Sequence, residues 1–274
     1  LVGDTYNGSR RWLSVGSLSF QPSELAKPAV ILFLSGIISK KEKNGSSLWS
    51  LIWCIILVLP IVALVGTNNL STAVIILGIA VILAFVSRPG YAQFLWIGLS
   101  GTGFVTIFLS MEQYRLERLE IWKNPEIHEK GFQTIQGLYA IGSGGLFGTG
   151  LGNGIQKLGF VPEAQNDMIF SIVCEETGFV GAILLLLLFL LLIWRLMAIA
   201  VHAKDRLGAF IAAGIMGHIA IQVILNVAVV TNSIPNTGIT LPFISYGGTS
   251  SLFLLAEMGL ALSVSRWQNR RSGI

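Results

Sequence analysis

A polar stretch between residues 111 and 168 separates long apolar runs and contains most of the side chains that could do chemistry. It ends in Pro162, Glu163 and Asp167, directly before the chain becomes apolar again. An ionisable group beside hydrocarbon is costly, so its default interpretation is functional. Such surroundings raise a carboxyl pKa, which makes Asp167 a candidate general base. The alternative is a structural carboxylate that only favours the N-terminal dipole of the following helix.

Two more charged residues, Glu24 and Lys27, lie in an apolar run and are three positions apart. That spacing places them on one face of a helix, where they can form an ion pair. A pair inside a membrane is expensive, so substrate binding competes with a purely structural role. His218 lies in another apolar run and is expected to hydrogen-bond to a neighbouring helix, whereas Glu257 in the last run receives no role.

Basic and glycine-rich segments accompany Asp167 and could bind an anion. The basic residues are Arg10, Arg11, Arg115, Arg118, Lys123, Lys130 and Lys157. Arginine forks match phosphate geometry. Trp12 can stack on a sugar face or lie in an interfacial aromatic belt. The glycine-rich stretch 142–154 could offer backbone N–H groups to phosphate, or it could be a flexible linker.

The composition places the chain in a membrane. Of 274 residues, 53% are hydrophobic and only 12% are charged, with a mean hydropathy of +0.73. A soluble domain has about 25% charged residues. The net charge of +4 does not indicate nucleic acid binding, because the basic residues form no stripe with interleaved aromatics. The two cysteines have no metal-ligand spacing, so they are expected to be small buried residues.

The apolar runs predict an all-α, polytopic helical bundle. A span needs about 20 apolar residues, which gives about seven helices, near 22–39, 49–66, 70–87, 91–110, 169–196, 208–231 and 241–265. Each must be helical, because only a helix satisfies its own backbone groups in lipid. We expect one membrane domain, 1–274, with an extracellular segment 1–21 and a large extracellular loop 111–168. Within that loop, alternating charges and apolar residues at 114–122 predict a short surface helix.

The distribution of basic residues predicts which segments face the cytoplasm. Those expected in cytoplasmic segments are Lys40, Lys41, Lys43, Arg88, Arg195, Lys204, Arg206, Arg266, Arg270 and Arg271. This pattern obeys the positive-inside rule at every alternation and makes the C-terminus cytoplasmic. The chain opens on Leu1 without a signal peptide, so we expect a fragment that lacks its N-terminal spans.

Several motifs together resemble the SEDS proteins (shape, elongation, division and sporulation). They are Gly8-Ser9-Arg10-Arg11-Trp12, Phe20-Gln21-Pro22-Ser23-Glu24-Leu25-Ala26-Lys27, Gly131-Phe132-Gln133, Gly142-Ser143-Gly144-Gly145-Leu146, Pro162-Glu163 with Asp167-Met168-Ile169-Phe170, Glu175-Glu176-Thr177-Gly178, and Pro242-Phe243-Ile244-Ser245-Tyr246-Gly247-Gly248. The last segment is more similar to the FtsW and SpoVE branches than to RodA. The resemblance covers essentially the whole chain.

This resemblance implies a fold of ten helices, of which the chain would hold the last seven. It implies a peptidoglycan glycosyltransferase that polymerises lipid II on the outer face of the bacterial cytoplasmic membrane, in division, elongation or sporulation. It also implies a class B penicillin-binding transpeptidase as partner. Asp167 matches the family's catalytic aspartate. We expect Arg11, Trp12, Glu24, Lys27, Arg118, Gln133, Gln136 and Glu163 to bind substrate. The sequence shows no metal-ligand set, although Mg²⁺ or Mn²⁺ could share the neutralisation of pyrophosphate.

Three other functions remain open at this point. A lipid-linked substrate flippase would also have charges inside a helical bundle, but a translocation path should place polar groups at several depths. A non-catalytic scaffold would only position the transpeptidase. A different lipid-linked sugar polymerase would share the architecture but not the Gln21-Pro22-Ser23-Glu24 and Pro162-Glu163 motifs.

Overall fold

Helices make up most of the chain, as the long apolar runs predict. The computed structural model describes residues 4–6, 9–15, 18–42, 48–87 and 113–269. Its helices are α1 Pro22–Glu42, α2 Leu48–Asn68, α3 Leu70–Ser87, α4 Gln113–Lys123, α5 Phe132–Ser143, α6 Ile169–Val201, α7 Arg206–Val230 and α8 Gly248–Asn269. Two short 3₁₀ turns, Glu129–Gly131 and Gln156–Leu158, flank α5 and precede Asp167.

Five of these helices are long and apolar enough to cross a membrane. Their spans are Pro22–Lys40, Leu70–Ser87, Ile169–Val201, Arg206–Val230 and Gly248–Trp267. Helix α2 also coincides with a predicted span, and its described apolar part is Ile55–Thr67. The prediction of a helical, multi-pass membrane protein is therefore confirmed. The predicted span 91–110 lies outside the described residues.

The last predicted span begins later than expected. Helix α8 starts at Gly248, whereas the sequence predicts a start at 241. The intervening segment is held by other contacts: the Ser245 hydroxyl donates to the Asn166 carbonyl, and the Tyr246 N–H donates to the Gln165 carbonyl. These bonds keep Pro242 to Tyr246 out of the helix although the segment is apolar.

The segment before α1 forms three short antiparallel strands, which the sequence did not predict. They are β1 Asp4–Tyr6, β2 Ser9–Val15 and β3 Leu18–Phe20, paired in the order β1-β2-β3. In the register, Trp12 is opposite Asp4 and Leu13 is opposite Phe20. The ring of Phe20 packs edge-on against Phe253 of α8, with a centroid distance of 6.0 Å.

The chain divides into two compact units. The first comprises Leu1–Gly90, Leu192–Ile221 and Gly247–Ile274, and the second comprises Tyr91–Leu191 and Gln222–Tyr246. In the first unit, glycines let helices approach closely: a Cβ on Gly214 would lie 2.8 Å from Ile31, and one on Gly217 would lie 2.8 Å from Ile82. The second unit contains Asp167. The expected single domain, 1–274, stays a prediction.

Helix α6 is interrupted at Gly178, and the glycine-rich segment before the helix forms hydrogen bonds with the backbone groups that the interruption leaves unpaired. Gly178 has φ +68° and ψ −171°, so its neighbours cannot continue the helical hydrogen-bond ladder. The N–H groups of residues 179 and 180 donate instead to the carbonyls of residues 145 and 146. In return, the carbonyls of residues 175 and 176 accept from the N–H groups of residues 149 and 150. The loop thus replaces the helical bonds that the break removes.

Candidate active site around Asp167

Asp167 lies two residues before α6 and is 8% exposed. Its Oδ1 atom is 3.3 Å from the Nε2 atom of Gln133, which lies in the first turn of α5. The same Nε2 also reaches the Pro162 carbonyl at 3.4 Å. Gln133 is therefore placed beside Asp167, where its amide can orient the carboxylate.

The main chain of Asp167 is fixed by a buried amide on α7. Asn226 is fully buried, and its Nδ2 group donates to the carbonyl of Asp167 at 2.8 Å and to that of Ile239 at 2.6 Å. Gln222, one turn earlier, donates to the Thr240 carbonyl at 3.0 Å. Two amide side chains on one face of α7 thus hold the segment 239–240, and one of them also holds Asp167.

The surroundings of Asp167 disfavour its charge. Burial raises the pKa of its carboxyl to about 6, and the nearby charge of Glu163 acts in the same direction. Hydrogen bonds from its own and the Met168 backbone and from Gln133 oppose this rise. A carboxyl with this pKa is largely ionised at neutral pH and is a stronger base than an ordinary aspartate, which suits proton abstraction.

A chain of hydrogen bonds connects Asp167 with Arg118. The Nη1 group of Arg118 donates to the Asn236 carbonyl at 2.9 Å. The Asn236 amide donates to Oε1 of Gln133 at 3.2 Å, and Gln133 then reaches Asp167. Trp122, one turn after Arg118 on α4, donates to the Asn232 carbonyl at 2.9 Å. The predicted short helix at 114–122 is confirmed, and its Arg118 face is bound to the segment 232–236.

Glu163 and Gln136, the other residues of this loop predicted to bind substrate, make no hydrogen bond to the Asp167 side chain among the described residues. Glu163 is exposed, has φ +55° and accepts a hydrogen bond from the Asn166 amide. Its charge acts on Asp167, as the raised pKa shows. Gln136 lies one turn after Gln133 on α5, and within the described ranges no hydrogen bond joins it to Asp167. Both remain predicted substrate-binding residues.

Four predicted substrate-binding residues belong to the first unit. Arg11 and Trp12 lie in β2, but their side chains fall outside the described part of the chain. Glu24 and Lys27 form a buried ion pair on α1, with 2.9 Å between Oε2 and Nζ. Their pairing is confirmed, whereas a contact with substrate stays a prediction.

His218, which was expected to bond to a neighbouring helix, and Glu257, to which the sequence assigned no role, bind each other. Nδ1 of His218 on α7 lies 2.8 Å from Oε2 of Glu257 on α8, and both side chains are almost fully buried. Their other polar atoms, Nε2 of His218 and Oε1 of Glu257, have no hydrogen-bond partner among the described residues. Glu24 interacts electrostatically with His218 and accepts a hydrogen bond from the Ser250 side chain. The expectation that His218 bonds to a neighbouring helix is confirmed.

The glycine-rich stretch 142–154 and the residues after it bond to carboxylates of α6. Ile155 and Gln156, which directly follow the stretch, donate to Oε1 of Glu175 at 2.8 and 3.2 Å. Gly152 donates to Oε2 of Glu176 at 3.0 Å, and Nζ of Lys157 lies 2.5 Å from Oε1 of that residue. These contacts occupy some N–H groups that could otherwise meet an anion, and phosphate contact by the stretch 142–154 stays a prediction.

Sequence reasoning missed the amides that support Asp167, namely Asn226, Asn236 and Gln222. Asn226 and Gln222 could have been found from the sequence, because polar side chains four residues apart in an apolar helix indicate a face that points into the protein. Asn236 lies in a polar connection, where the sequence gives no such indication. Among the described residues, no group of three His, Cys, Asp or Glu side chains could hold a metal ion.

Comparison with known proteins shows the family of this chain. The family model of FtsW, RodA and SpoVE, described as cell cycle protein, matches residues 1–270. Stage V sporulation protein E of Bacillus subtilis (strain 168) is 45% identical over 276 residues, covering 97% of this chain and 74% of that protein. The probable peptidoglycan glycosyltransferase FtsW of Geobacter sp. (strain M18) is 36% identical over 270 residues, with 96% and 73% covered.

Two solved structures extend the similarity to the fold. A chain from a peptidoglycan synthase complex, described for its coordination of polymerization and crosslinking, superimposes with a TM-score of 0.81 at 29% identity, covering 98% of this chain and 77% of that one. The rod shape determining protein RodA of Thermus thermophilus gives 0.69 at 29% identity, with 98% and 73% covered. The chain belongs to the FtsW, RodA and SpoVE family, which is the SEDS family that its motifs resemble.

Proposed function

We propose that Asp167 is the general base with which this protein, a peptidoglycan glycosyltransferase, joins lipid-linked disaccharides. The observation that carries the proposal is a buried carboxyl with a pKa of about 6, oriented by Gln133 and fixed through its main chain by Asn226. A carboxyl held in this way is ready to take a proton without first rearranging.

The chemical step moves one proton and one glycosyl group. The 4-hydroxyl of the acceptor sugar attacks the anomeric carbon of the donor while its proton passes to the Asp167 carboxylate. The bond from that carbon to the pyrophosphate oxygen breaks, and undecaprenyl pyrophosphate leaves with the electron pair. Asp167 then returns its proton to solvent, so the cycle balances without a covalent enzyme intermediate.

Arg118 is the residue we assign to the leaving pyrophosphate. Its bond to Asn236 fixes the guanidinium at the end of a hydrogen-bonded chain that begins at Asp167. A guanidinium can stabilise the negative charge that develops on phosphate oxygens. Mg²⁺ or Mn²⁺ brought by the pyrophosphate itself could share this role, and no step requires a metal held by the protein.

The remaining assignments depend on the family motifs. Arg11, Trp12, Glu24 and Lys27 are proposed to contact the lipid-linked substrate. The loop 111–168 is proposed to face the outside of the cytoplasmic membrane, because the basic segments then fall inside. A class B penicillin-binding transpeptidase is the proposed partner. The similarity to a chain of a complex that coordinates polymerization with crosslinking supports it.

The decisive experiment replaces Asp167 by Asn and measures glycan chains made from purified lipid II by the full-length protein with its partner. We expect polymerisation to fall by about 10²–10⁴-fold, the usual contribution of a general base. Glu120→Gln is the matched control, since it makes the same change at an exposed position of α4 and should leave polymerisation unchanged.

Three outcomes would contradict the proposal. Unimpaired polymerisation by Asp167→Asn would remove the base assignment. Loss of partner binding by Asp167→Asn, with polymerisation intact, would favour a scaffold. Lipid II translocation that persists without any polymerisation by the unmodified protein would favour a flippase.

A further inference from the structure

The segment 144–160, here called the glycine loop, exposes an unusually apolar surface. Six large apolar side chains in it are between 51% and 81% exposed: Leu146, Phe147, Leu151, Ile155, Leu158 and Phe160. Single exposed apolar residues are ordinary, but a cluster within one short loop marks an interaction surface. The catalytic proposal does not use this surface, so what it contacts requires a separate explanation.

Many backbone N–H groups of the glycine loop are bonded within the protein. Its N–H groups at residues 152, 155 and 156 donate to Glu175 and Glu176, and those at residues 149 and 150 donate to carbonyls of α6. Further N–H groups at residues 148, 153 and 158 bond within the loop. A loop in water does not need such internal satisfaction, because solvent can supply the bonds, whereas a loop in lipid does.

The charges of the glycine loop are also compensated. Lys157 is its one ionisable side chain, and Nζ lies 2.5 Å from the carboxylate of Glu176. On the carboxylate side, Glu175 is 3% exposed and accepts two N–H groups from the loop. The ion pair of Lys157 and Glu176 lowers the cost of placing these two charges beside hydrocarbon.

The glycine loop continues the lipid-facing surface of α6. The hydrogen bonds from residues 179 and 180 to residues 145 and 146 place the loop directly beside the start of the exposed apolar surface of that helix. This surface includes Phe179, Ile183, Leu184 and Leu188. Because α6 is long and apolar enough to span a membrane, we expect its exposed apolar side chains to meet acyl chains, and the loop extends the same surface toward the end of the helix at Ile169.

We propose that the glycine loop is a membrane anchor, whose apolar side chains insert into lipid at the boundary between headgroups and acyl chains. An interfacial segment of this kind buries its apolar face about 5–10 Å into that boundary. The occupant of the surface is bilayer lipid. Insertion holds the end of α6 that leads to Asp167 at a fixed depth.

The test measures the environment of the loop in liposomes. Cys54 and Cys174 are replaced by Ala, and a single cysteine is introduced as Phe147→Cys, Leu151→Cys or Leu158→Cys in the full chain. Each is labelled with an environment-sensitive fluorophore and reconstituted into liposomes of phosphatidylethanolamine and phosphatidylglycerol. We expect blue-shifted emission, strong quenching by nitroxide-labelled lipids, and iodide quenching several-fold weaker than at a water-exposed site.

Two matched positions calibrate the measurement. Glu126→Cys places the label on an exposed polar turn, and Leu188→Cys places it on the exposed surface of α6. Each labelled protein must keep the melting temperature of the cysteine-free chain. Three loop positions are used, so that if one variant misfolds, the other two still report whether the loop lies in lipid.

The proposal fails if the loop labels match Glu126→Cys in iodide quenching and do not respond to nitroxide lipids. It also fails if neither quencher reaches them, since that result would indicate protein rather than lipid on this surface. Neither readout depends on polymerisation, so the result is independent of the assignment of Asp167.

Discussion

At the scale of single residues, Asp167 is supported mainly by amides. Gln133 contacts its carboxylate, and Asn226 contacts its carbonyl, but neither brings a positive charge that would hold the carboxyl at an ordinary pKa. An amide can fix the orientation of a carboxylate while leaving burial free to raise its pKa. This combination gives a positioned base with a pKa of about 6.

The raised pKa predicts a pH dependence of the reaction. Only the ionised carboxylate can accept the proton, so polymerisation should rise with pH through about 6 and level off above it. The measurement is the rate of glycan synthesis at saturating lipid II across this range. A rate that is flat from about pH 5 to 8 would show that Asp167 does not titrate in the rate-determining step.

The same shift predicts a cost in stability. The pKa is raised from 3.8 to about 6 on folding, so the folded state binds the proton more tightly and loses stability as pH rises through this window. Above it, Asp167→Asn should therefore stabilise the protein, by on the order of 1–3 kcal/mol. Thermal melting in detergent checks this, and the gain should shrink toward pH 4. An unchanged or larger gain at low pH would contradict it.

Sequence reasoning singled out Asp167, the proposed base, but not the residues that support it. Asp167 stands out because a carboxylate borders an apolar run. Its partners come from distant parts of the chain, with Gln133 on α5, Asn226 on α7 and Asn236 in the connection after α7. Which amides meet a carboxylate depends on packing between elements, and no local pattern encodes it.

At the scale of elements, the break in α6 is a joint feature of a helix and a loop. Gly178 adopts a left-handed φ that favours glycine. Added bulk would also collide, because a Cβ on Gly178 would lie 2.3 Å from the Gly148 nitrogen. The apolar run predicts the helix closely, but glycine is common in membrane helices, so the run alone does not predict the interruption.

Gly178→Ala should therefore be strongly destabilising. The strained φ alone costs about 1–3 kcal/mol, and the collision with backbone adds to it. Gly142→Ala is the control. Gly142 lies on α5 in the same unit, and a Cβ added there would meet no atom within 4 Å. Comparative melting in detergent should show a large loss for the first variant and little change for the second. Equal effects would show that the break is not sterically fixed.

The buried pair of His218 and Glu257 connects α7 with α8 and predicts strong coupling. Removing one partner leaves the other buried without its bond, at a cost of about 3–5 kcal/mol. We expect His218→Leu and Glu257→Leu each to lower stability, and the double variant to lower it less than the sum. Additive losses in this double-mutant cycle would show that the two side chains act independently.

At the scale of the whole molecule, we predict the sidedness of the membrane from charge. The basic residues Arg195, Lys204 and Arg206 favour the cytoplasm for the α6–α7 connection, so the loop before α6 is predicted to lie outside. Five of the predicted spans coincide with helices long and apolar enough to cross a membrane, because each apolar run must satisfy its own backbone in lipid. The three strands before α1 could not be predicted, since the segment lacks a repeated period-two pattern over its length.

Cysteine labelling in intact cells tests this orientation. In a chain without Cys54 and Cys174, Glu126→Cys should react with a membrane-impermeant maleimide, whereas Lys204→Cys should react only after permeabilisation. Both positions are exposed, so the difference reports the side of the membrane. The reverse pattern would invert the topology and place Asp167 inside the cell.

The exchange of hydrogen bonds at Gly178 also constrains how the protein is made. Without the loop, α6 would have two backbone N–H groups, at residues 179 and 180, and two carbonyls, at residues 175 and 176, without hydrogen bonds. Each such group costs several kcal/mol in hydrocarbon. Residues 145–150 close all four, and they are synthesised before the helix. Because residues 145–150 precede α6 in the chain, they are available to bond when the helix forms, and we expect loop and helix to insert together as one hairpin.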